Sequence, residues 1–131
     1  MTSMSSTMSK KRPRLALLPE GTSGRMALVT RYHPRLPYYG RYLRYTGNML
    51  VEGKTVWMSD GPEERLTMSA AVRWCPEESD VLVGGLGLGI FPRWVNHRVK
   101  SMTIVELSRD VINLVYRHIR TRKMSLVRGD I

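Results

Sequence analysis

Short apolar runs alternate with stretches of helical periodicity in the C-terminal part of the chain. The runs are Val81–Val83, Met102–Leu107 and Met124–Val127. Between the first two runs, Ile90–His97 predicts a short helix. Between the last two runs, Val111, Val115 and Ile119 recur every four residues and predict a longer one. Strands that alternate with helices at such spacings predict a βαβαβ unit, which forms a parallel sheet with right-handed crossovers.

Residues 25–59 show a different pattern of short β-like runs. These are Met26–Thr30, Tyr38–Tyr45, Asn48–Val51 and Thr55–Met58. Thr46-Gly47-Asn48 and Glu52-Gly53 tolerate positive φ and predict turns, so the last two runs are expected to form a tight hairpin. Two prolines within His33–Tyr39 predict a loop at the surface.

The sequence Ser59-Asp60-Gly61-Pro62-Glu63-Glu64 predicts the start of a helix, because it has a polar cap, an early proline and two carboxylates in the first turn. The helix should run to about Trp74. The elements together predict an α/β fold class, with a partial Rossmann-like parallel sheet (βαβαβ) preceded by a small β-rich N-terminal segment. The predicted divisions are a disordered basic tail at 1–22, the β-rich segment with its hairpin at 23–60, a connecting helix at 61–79 and an incomplete ligand-binding domain at 80–131.

The formal net charge of +10 favours an anionic partner. The charge is unevenly distributed over three consecutive segments of the chain. Residues 1–51 carry nine basic side chains and one acidic side chain, and residues 81–131 carry nine basic and three acidic side chains. Residues 52–80 between them are acidic, with three basic and seven acidic side chains. The tyrosines and arginines of residues 38–45 have the chemistry to stack on nucleobases, and a half-buried strand with an arginine-coated outer face explains them as well. Nucleic acid is thus one candidate partner.

Composition excludes several other classes of protein. No apolar run approaches the ~20 residues that cross a bilayer, so no membrane partner is expected. Cys75 is the only cysteine, which excludes an intrachain disulfide and, with three scattered histidines, a close-spaced zinc site. We therefore expect no metal site and a reducing, cytoplasmic location.

A glycine-rich turn follows the first strand of the βαβαβ unit and is the strongest chemical signal. Such a turn lets backbone N–H groups approach a ligand at the carboxyl ends of the strands. Glu106 ends the second strand, where a carboxylate can accept hydrogen bonds from both hydroxyls of a ribose. Asp130 follows the third strand and would face the same crevice, so the pattern predicts a nucleoside site.

The glycine spacing narrows the class of nucleoside ligand. A dinucleotide fingerprint G-x-G-x-x-G read from Gly85 would need glycine where Ile90 stands, which disfavours an NAD-dependent dehydrogenase, and the lysine of a P-loop is missing. G-x-G-x-G is present instead. With Glu106 and the pair Gly129-Asp130, it resembles the class I S-adenosylmethionine-dependent methyltransferases and the related spermidine synthases. Residues 49–59 also resemble the N-terminal hairpin of the latter.

The resemblance implies an S-adenosylmethionine-dependent methyltransferase-like protein, with S-adenosylmethionine as its cofactor. The ligand-binding residues that it implies are Gly85, Leu86, Gly87, Gly89, Glu106, Leu107 and Asp130. It names no catalytic residue and no methyl acceptor. A spermidine-synthase-like aminopropyltransferase and a non-catalytic basic protein that contacts nucleic acid or an acidic partner stay open as alternatives.

The chain ends just after the third strand, whereas such folds have about seven strands. We therefore expect a partial domain that is inactive by itself. The first strand of the βαβαβ unit would have an unpaired edge with which a second copy of the chain could pair, so an oligomer is also expected.

Overall fold

The computed structural model describes residues 15–130 and confirms the α/β class. The strands are β1 (Gly21–Ser23), β2 (Met26–Tyr38), β3 (Arg41–Glu52), β4 (Thr55–Ser59), β5 (Asp80–Gly84), β6 (Ser101–Glu106) and β7 (Met124–Arg128). The helices are α1 (Pro62–Trp74), α2 (Ile90–Val95) and α3 (residues 109–119). Helix α3 is α-helical at Arg109–Val111 and Arg117–Ile119, with a π-helical turn at Ile112–Tyr116 between them.

The predicted βαβαβ unit is present in the described residues. Strands β5, β6 and β7 pair in parallel in that order, with Val83 beside Ile104 and Ile104 beside Leu126. The three α3 residues that recur every four positions, Val111, Val115 and Ile119, are all buried. Within residues 15–130, β5 pairs with β6 alone, so its other edge is open.

Strands β1 to β4 form a separate antiparallel sheet in sequential order. The predicted hairpin is confirmed, because Glu52 pairs with Thr55 across a turn that contains Gly53 at φ +57°. The predicted turn at Thr46-Gly47-Asn48 is wrong: all three residues lie inside β3, and Gly47 has no positive φ.

The predicted surface loop over His33–Tyr39 is also wrong, because β2 continues to Tyr38 and only Tyr39 belongs to the following turn. Two features accommodate the prolines. A β-bulge between His33 and Leu36 contains Pro34, and β1 pairs only as far as Leu28. Within residues 15–130 this part of β2 is therefore an edge strand, which tolerates a missing N–H.

Residues 15–22 are ordered, contrary to the predicted tail, while residues 1–14 lie outside the described part of the chain. Leu15 and Leu18 are buried in the core, and the Leu18 N–H donates to Asn48 Oδ1 at 2.8 Å. The Asn48 amide donates back to the Leu18 carbonyl at 3.1 Å. A partner thirty positions away in the sequence therefore orders a segment whose own pattern is weak.

One hydrophobic core joins the two sheets. Leu28 and Leu50 face each other across β2 and β3 and are at most 2% exposed. They belong to the same cluster as Met102 and Ile104 of the parallel sheet and Val115 of α3. The antiparallel sheet is thus packed against the parallel unit, and its hairpin reaches the carboxyl end of β5.

Helix α1 has Pro62 at its first position and Glu63 and Glu64 in its first turn, as predicted. The predicted polar cap is wrong, because the N-cap residue is Gly61 and no side chain caps the helix. It ends at Trp74. No helix among residues 15–130 is long and apolar enough to span a membrane.

Candidate functional site

The glycine turn connects β5 to α2 and bends through three residues of positive φ. Gly85, Gly87 and Gly89 have φ of +89°, +54° and +70°. L-amino acids with a Cβ rarely adopt this region, so the backbone path requires glycine at each position. The turn lies at the carboxyl end of the sheet, where ligands of parallel α/β folds bind.

The three glycines differ in what surrounds them. A Cβ on Gly87 would overlap the sulfur of Met58 from the hairpin, and a Cβ on Gly89 would lie 2.6 Å from Ile119 Cδ1 of α3. A Cβ on Gly85 would meet no atom of residues 15–130 within 4 Å. Packing therefore explains the small residues at 87 and 89, and Gly85 alone presents its backbone to open space.

Glu106 ties the glycine turn to the end of β6. Its Oε1 accepts a hydrogen bond from the Leu86 N–H at 2.7 Å, and its Oε2 accepts one from the Ser108 N–H at 2.9 Å. Each carboxylate oxygen has a further lone pair. The side chain thus holds the turn in place and still has the capacity to accept hydrogen bonds from a ligand.

A cavity of about 690 Å³ opens above these residues. It is lined mainly by apolar side chains, including Leu50, Met68 and Phe91, as well as by the glycine turn. Among residues 15–130, the ionisable residues that line the cavity are Glu52, Glu106 and Asp110, and no lysine or arginine is among them. The volume is in the range of small-molecule sites, and the charge of the lining is negative despite the basic chain.

The antiparallel sheet supplies the wall opposite the parallel sheet. Met58 packs over Gly87, and Met26 and Leu50 line the same side. Trp57, 61% exposed, stands at this wall and donates from Nε1 to Glu52 Oε1 at 3.1 Å. An aromatic face beside a carboxylate suits a cationic group on a ligand.

The structure brings most of the sequence-predicted site residues together. Five of them line the cavity, namely Gly85, Leu86, Gly87, Glu106 and Leu107. Gly89 lies one residue before α2 and packs against α3 instead. Asp130 is exposed and is not part of the lining; its neighbour Gly129 donates its N–H to the Glu106 carbonyl at 3.1 Å.

Sequence reasoning missed the residues of the opposite wall. Glu52, Trp57 and Met58 lie on the hairpin, which was predicted with no role in the site. Ser108 caps α3, and Asp110 lies in its first turn. The only available signal was the resemblance of the hairpin to that of an enzyme family. Among residues 15–130, no group of three or more His, Cys, Asp or Glu side chains could hold a metal ion.

A buried polar cluster fixes the junction between the hairpin and α1. Asp60 is 2% exposed; its Oδ1 accepts from the Asn48 N–H at 2.9 Å, and Arg65 Nη2 lies 3.5 Å from its Oδ2. The Asp60 carbonyl accepts from the Tyr45 hydroxyl and from Arg65 Nε. Burial raises the pKa of Tyr45 to about 12, with the charge of Asp60 adding to the effect.

Burial is also the main cause of a raised pKa for Asp60, and Arg65 and the Asn48 N–H oppose it. The folded state therefore binds the Asp60 proton more tightly than the unfolded state. The resulting stabilisation of the fold is fully present at pH values below the pKa of Asp60 in the unfolded chain. It is lost as the pH rises through the higher pKa that Asp60 has in the folded protein.

We expect the stability advantage of the wild type over Asp60→Asn to shrink as the pH rises from about 3.5 to about 7. The reason is that asparagine does not titrate. Urea unfolding across this range measures the difference, with the exposed Asp80→Asn as the control for general charge effects. A difference that grows with pH would show that Arg65 and the Asn48 amide outweigh burial.

Fold and site together define an α/β protein with an apolar, negatively lined cavity at the carboxyl end of a parallel sheet.

No protein-family model and no curated protein matches the chain. A similar solved structure is the crystal structure of precorrin 8W decarboxylase, the product of gene MT0146 in the Methanobacterium thermoautotrophicum genome. The match has 21% identity and a TM-score of 0.41; it covers 53% of this chain, which spans 39% of that structure's length.

These comparisons correct the predicted family. The similar structure is that of a decarboxylase, and no methyltransferase or spermidine-synthase family model matches. The predicted membership, and the methyltransferase or aminopropyltransferase function that it implied, are wrong on this comparison. The glycine pattern has a physical explanation without that family, because Gly85, Gly87 and Gly89 all have positive φ.

Proposed function

We propose that the chain binds a small molecule with a ribose diol and a neutral or positively charged remainder, in the cavity between the glycine turn and the hairpin. S-adenosylmethionine, a nucleoside that carries a sulfonium cation, is the ligand we propose. The single cysteine supports a reducing, cytoplasmic setting.

The observation that carries the proposal is the position of Glu106. Its carboxylate lines an apolar cavity of about 690 Å³ and is held by two backbone N–H groups at 2.7 and 2.9 Å. A carboxylate held in this way is preorganised to accept hydrogen bonds from a diol, and such charge-assisted bonds are the strong ones. The apolar lining suits the flat base of a nucleoside.

The charge of the lining argues against phosphorylated ligands. Glu52, Glu106 and Asp110 would repel a phosphate, and within the described part of the chain no basic side chain lines the cavity to compensate. In a dinucleotide site the amides of the glycine turn face the pyrophosphate. Here the Leu86 N–H already donates to Glu106.

Calorimetric titration with matched nucleosides tests the proposal. We expect S-adenosylmethionine and adenosine to bind, and 2′-deoxyadenosine to bind roughly tenfold more weakly, because it lacks one hydrogen bond to a charged acceptor. Adenosine monophosphate and NAD should bind more weakly than adenosine because the carboxylates repel phosphate. Tighter binding of either phosphorylated ligand than of adenosine would contradict the assignment.

A further inference from the structure

A two-stranded ribbon projects beyond the antiparallel sheet. Strand β1 pairs with β2 only as far as Leu28, and β4 pairs with β3 only from Met49 onward. Within the described residues, the segments 31–38 and 41–47 therefore pair only with each other, around a turn at Tyr39-Gly40. We refer to residues 31–47 as the ribbon. None of its residues lines the cavity described above.

The composition of the ribbon is unusual in charge and aromatic content. It contains four arginines and five tyrosines, and it has no aspartate or glutamate. Tyr32, Tyr39 and Tyr42 are 61%, 72% and 59% exposed, so burial in the core does not account for them. Four cations without a carboxylate among them also repel one another, which is unfavourable for the free protein.

The pairing register places aromatic and basic side chains on one face. Tyr32 is opposite Thr46, and Pro37 is opposite Tyr42. Because side chains two positions apart share a face of a strand, Arg44 lies on this face between Thr46 and Tyr42. All of these residues are exposed.

One arginine of the ribbon stacks on a ring of this face as well as carrying charge. The guanidinium carbon of Arg35 lies 4.1 Å from the centroid of the Tyr42 ring. The opposite face contains Leu36, Leu43 and Tyr45, which are partly buried. The two faces thus differ, and the exposed one combines aromatic rings with positive charge.

We propose that the exposed face of the ribbon binds single-stranded RNA. Unpaired bases stack on aromatic rings and on arginine planes, and the phosphates between them are complementary to the arginines. A duplex hides the faces of its bases, so it would leave Tyr32 and Tyr42 without partners. An acidic peptide would satisfy the arginines but not the exposed rings.

Fluorescence anisotropy of the full chain with a labelled oligouridine of about 12 nucleotides tests the proposal. Tyr32→Thr with Tyr42→Thr keeps the net charge and β-strand propensity but removes the rings, and we expect about tenfold or greater loss of affinity. Arg35→Gln with Arg44→Gln should weaken binding and reduce the slope of log K against log salt by about 1.4, because each phosphate that an arginine neutralises adds ~0.7 to that slope.

The matched control is Arg120→Gln with Arg122→Gln, which makes the same change in net charge at exposed positions before β7. It should bind RNA nearly as the wild type does. Circular dichroism melting checks that every variant folds. Wild-type affinity in the tyrosine variant would overturn the proposal and would point to the basic residues at 10, 11, 12 and 14. Equal losses in the two arginine variants, or tighter binding of duplex, single-stranded DNA or an acidic peptide than of RNA, would also overturn it.

Discussion

Replacing Glu106 with alanine is expected to lower the free energy of unfolding by about 2–4 kcal/mol and to remove most of the affinity for a ribose-containing ligand. The loss of stability arises because the N–H groups of Leu86 and Ser108 lose their acceptors at 2.7 and 2.9 Å. Each partly buried donor left unpaired costs about 1–3 kcal/mol. The loss of affinity arises because the same carboxylate is the proposed acceptor of the diol.

Glu106→Gln separates the two effects. Its amide oxygen can replace one carboxylate oxygen, whereas its NH₂ group would face a backbone N–H donor, so we expect a smaller loss of stability of about 1–2 kcal/mol. Urea unfolding measures stability, and calorimetry with adenosine at a temperature where both variants are folded measures affinity.

Asp130→Ala is the matched control for Glu106, because Asp130 follows the neighbouring strand but is exposed and outside the cavity lining. It should leave both stability and affinity nearly unchanged. If Asp130→Ala abolished binding while Glu106→Ala bound as the wild type does, the ligand would lie over β7 and the proposed site would be wrong.

The parallel unit could be predicted from the sequence because its signals are local. Apolar runs of four to six residues and a four-residue helical repeat fixed β6, α3 and β7 to within a few residues. Local chemistry also located the start of α1, since proline and two carboxylates favour a helix N-terminus wherever they occur together.

The antiparallel part depends on contacts that no local pattern contains. Gly47 resembled a turn residue, but its small size makes room for the Asp60 carboxylate thirteen residues later. Leu18 resembled part of a tail, but its backbone is bound by Asn48. In each case the residue type serves a partner that is distant in sequence, so the pattern around it was misleading.

The candidate site likewise has one wall that the sequence predicts and one that it does not. The wall made by the glycine turn, Glu106 and Leu107 followed from one motif at the end of two adjacent strands. The wall that contains Trp57 and Met58 depends on how the antiparallel sheet packs against that motif. The two walls are far apart in the sequence, so no local pattern could reveal this packing. The charge preference of the site could therefore be inferred only once both walls were known.

Gly47→Ala should have an effect on stability comparable to that of Glu106→Ala, with a loss of about 2–4 kcal/mol. A methyl group there would overlap Asp60 Oδ1 and lie 2.7 Å from Tyr45 Cε1. Neither neighbour is free to move, because the Asn48 N–H, Arg65 and the tyrosine hydroxyl hold the Asp60 residue. Overpacking of this kind costs about 1–3 kcal/mol, and a strained buried hydrogen bond adds to it.

The control for Gly47→Ala is Gly129→Ala, since a Cβ at position 129 would meet no atom of the described residues within 4 Å and the φ of Gly129 is not positive. Urea unfolding should show a change within about 0.5 kcal/mol for this variant. In an Asp60→Ala background, Gly47→Ala should be much less destabilising, because the overlapped carboxylate is gone. Equal losses in both backgrounds would mean that Gly47 is required for the conformation of β3 itself and not to make room for the Asp60 carboxylate.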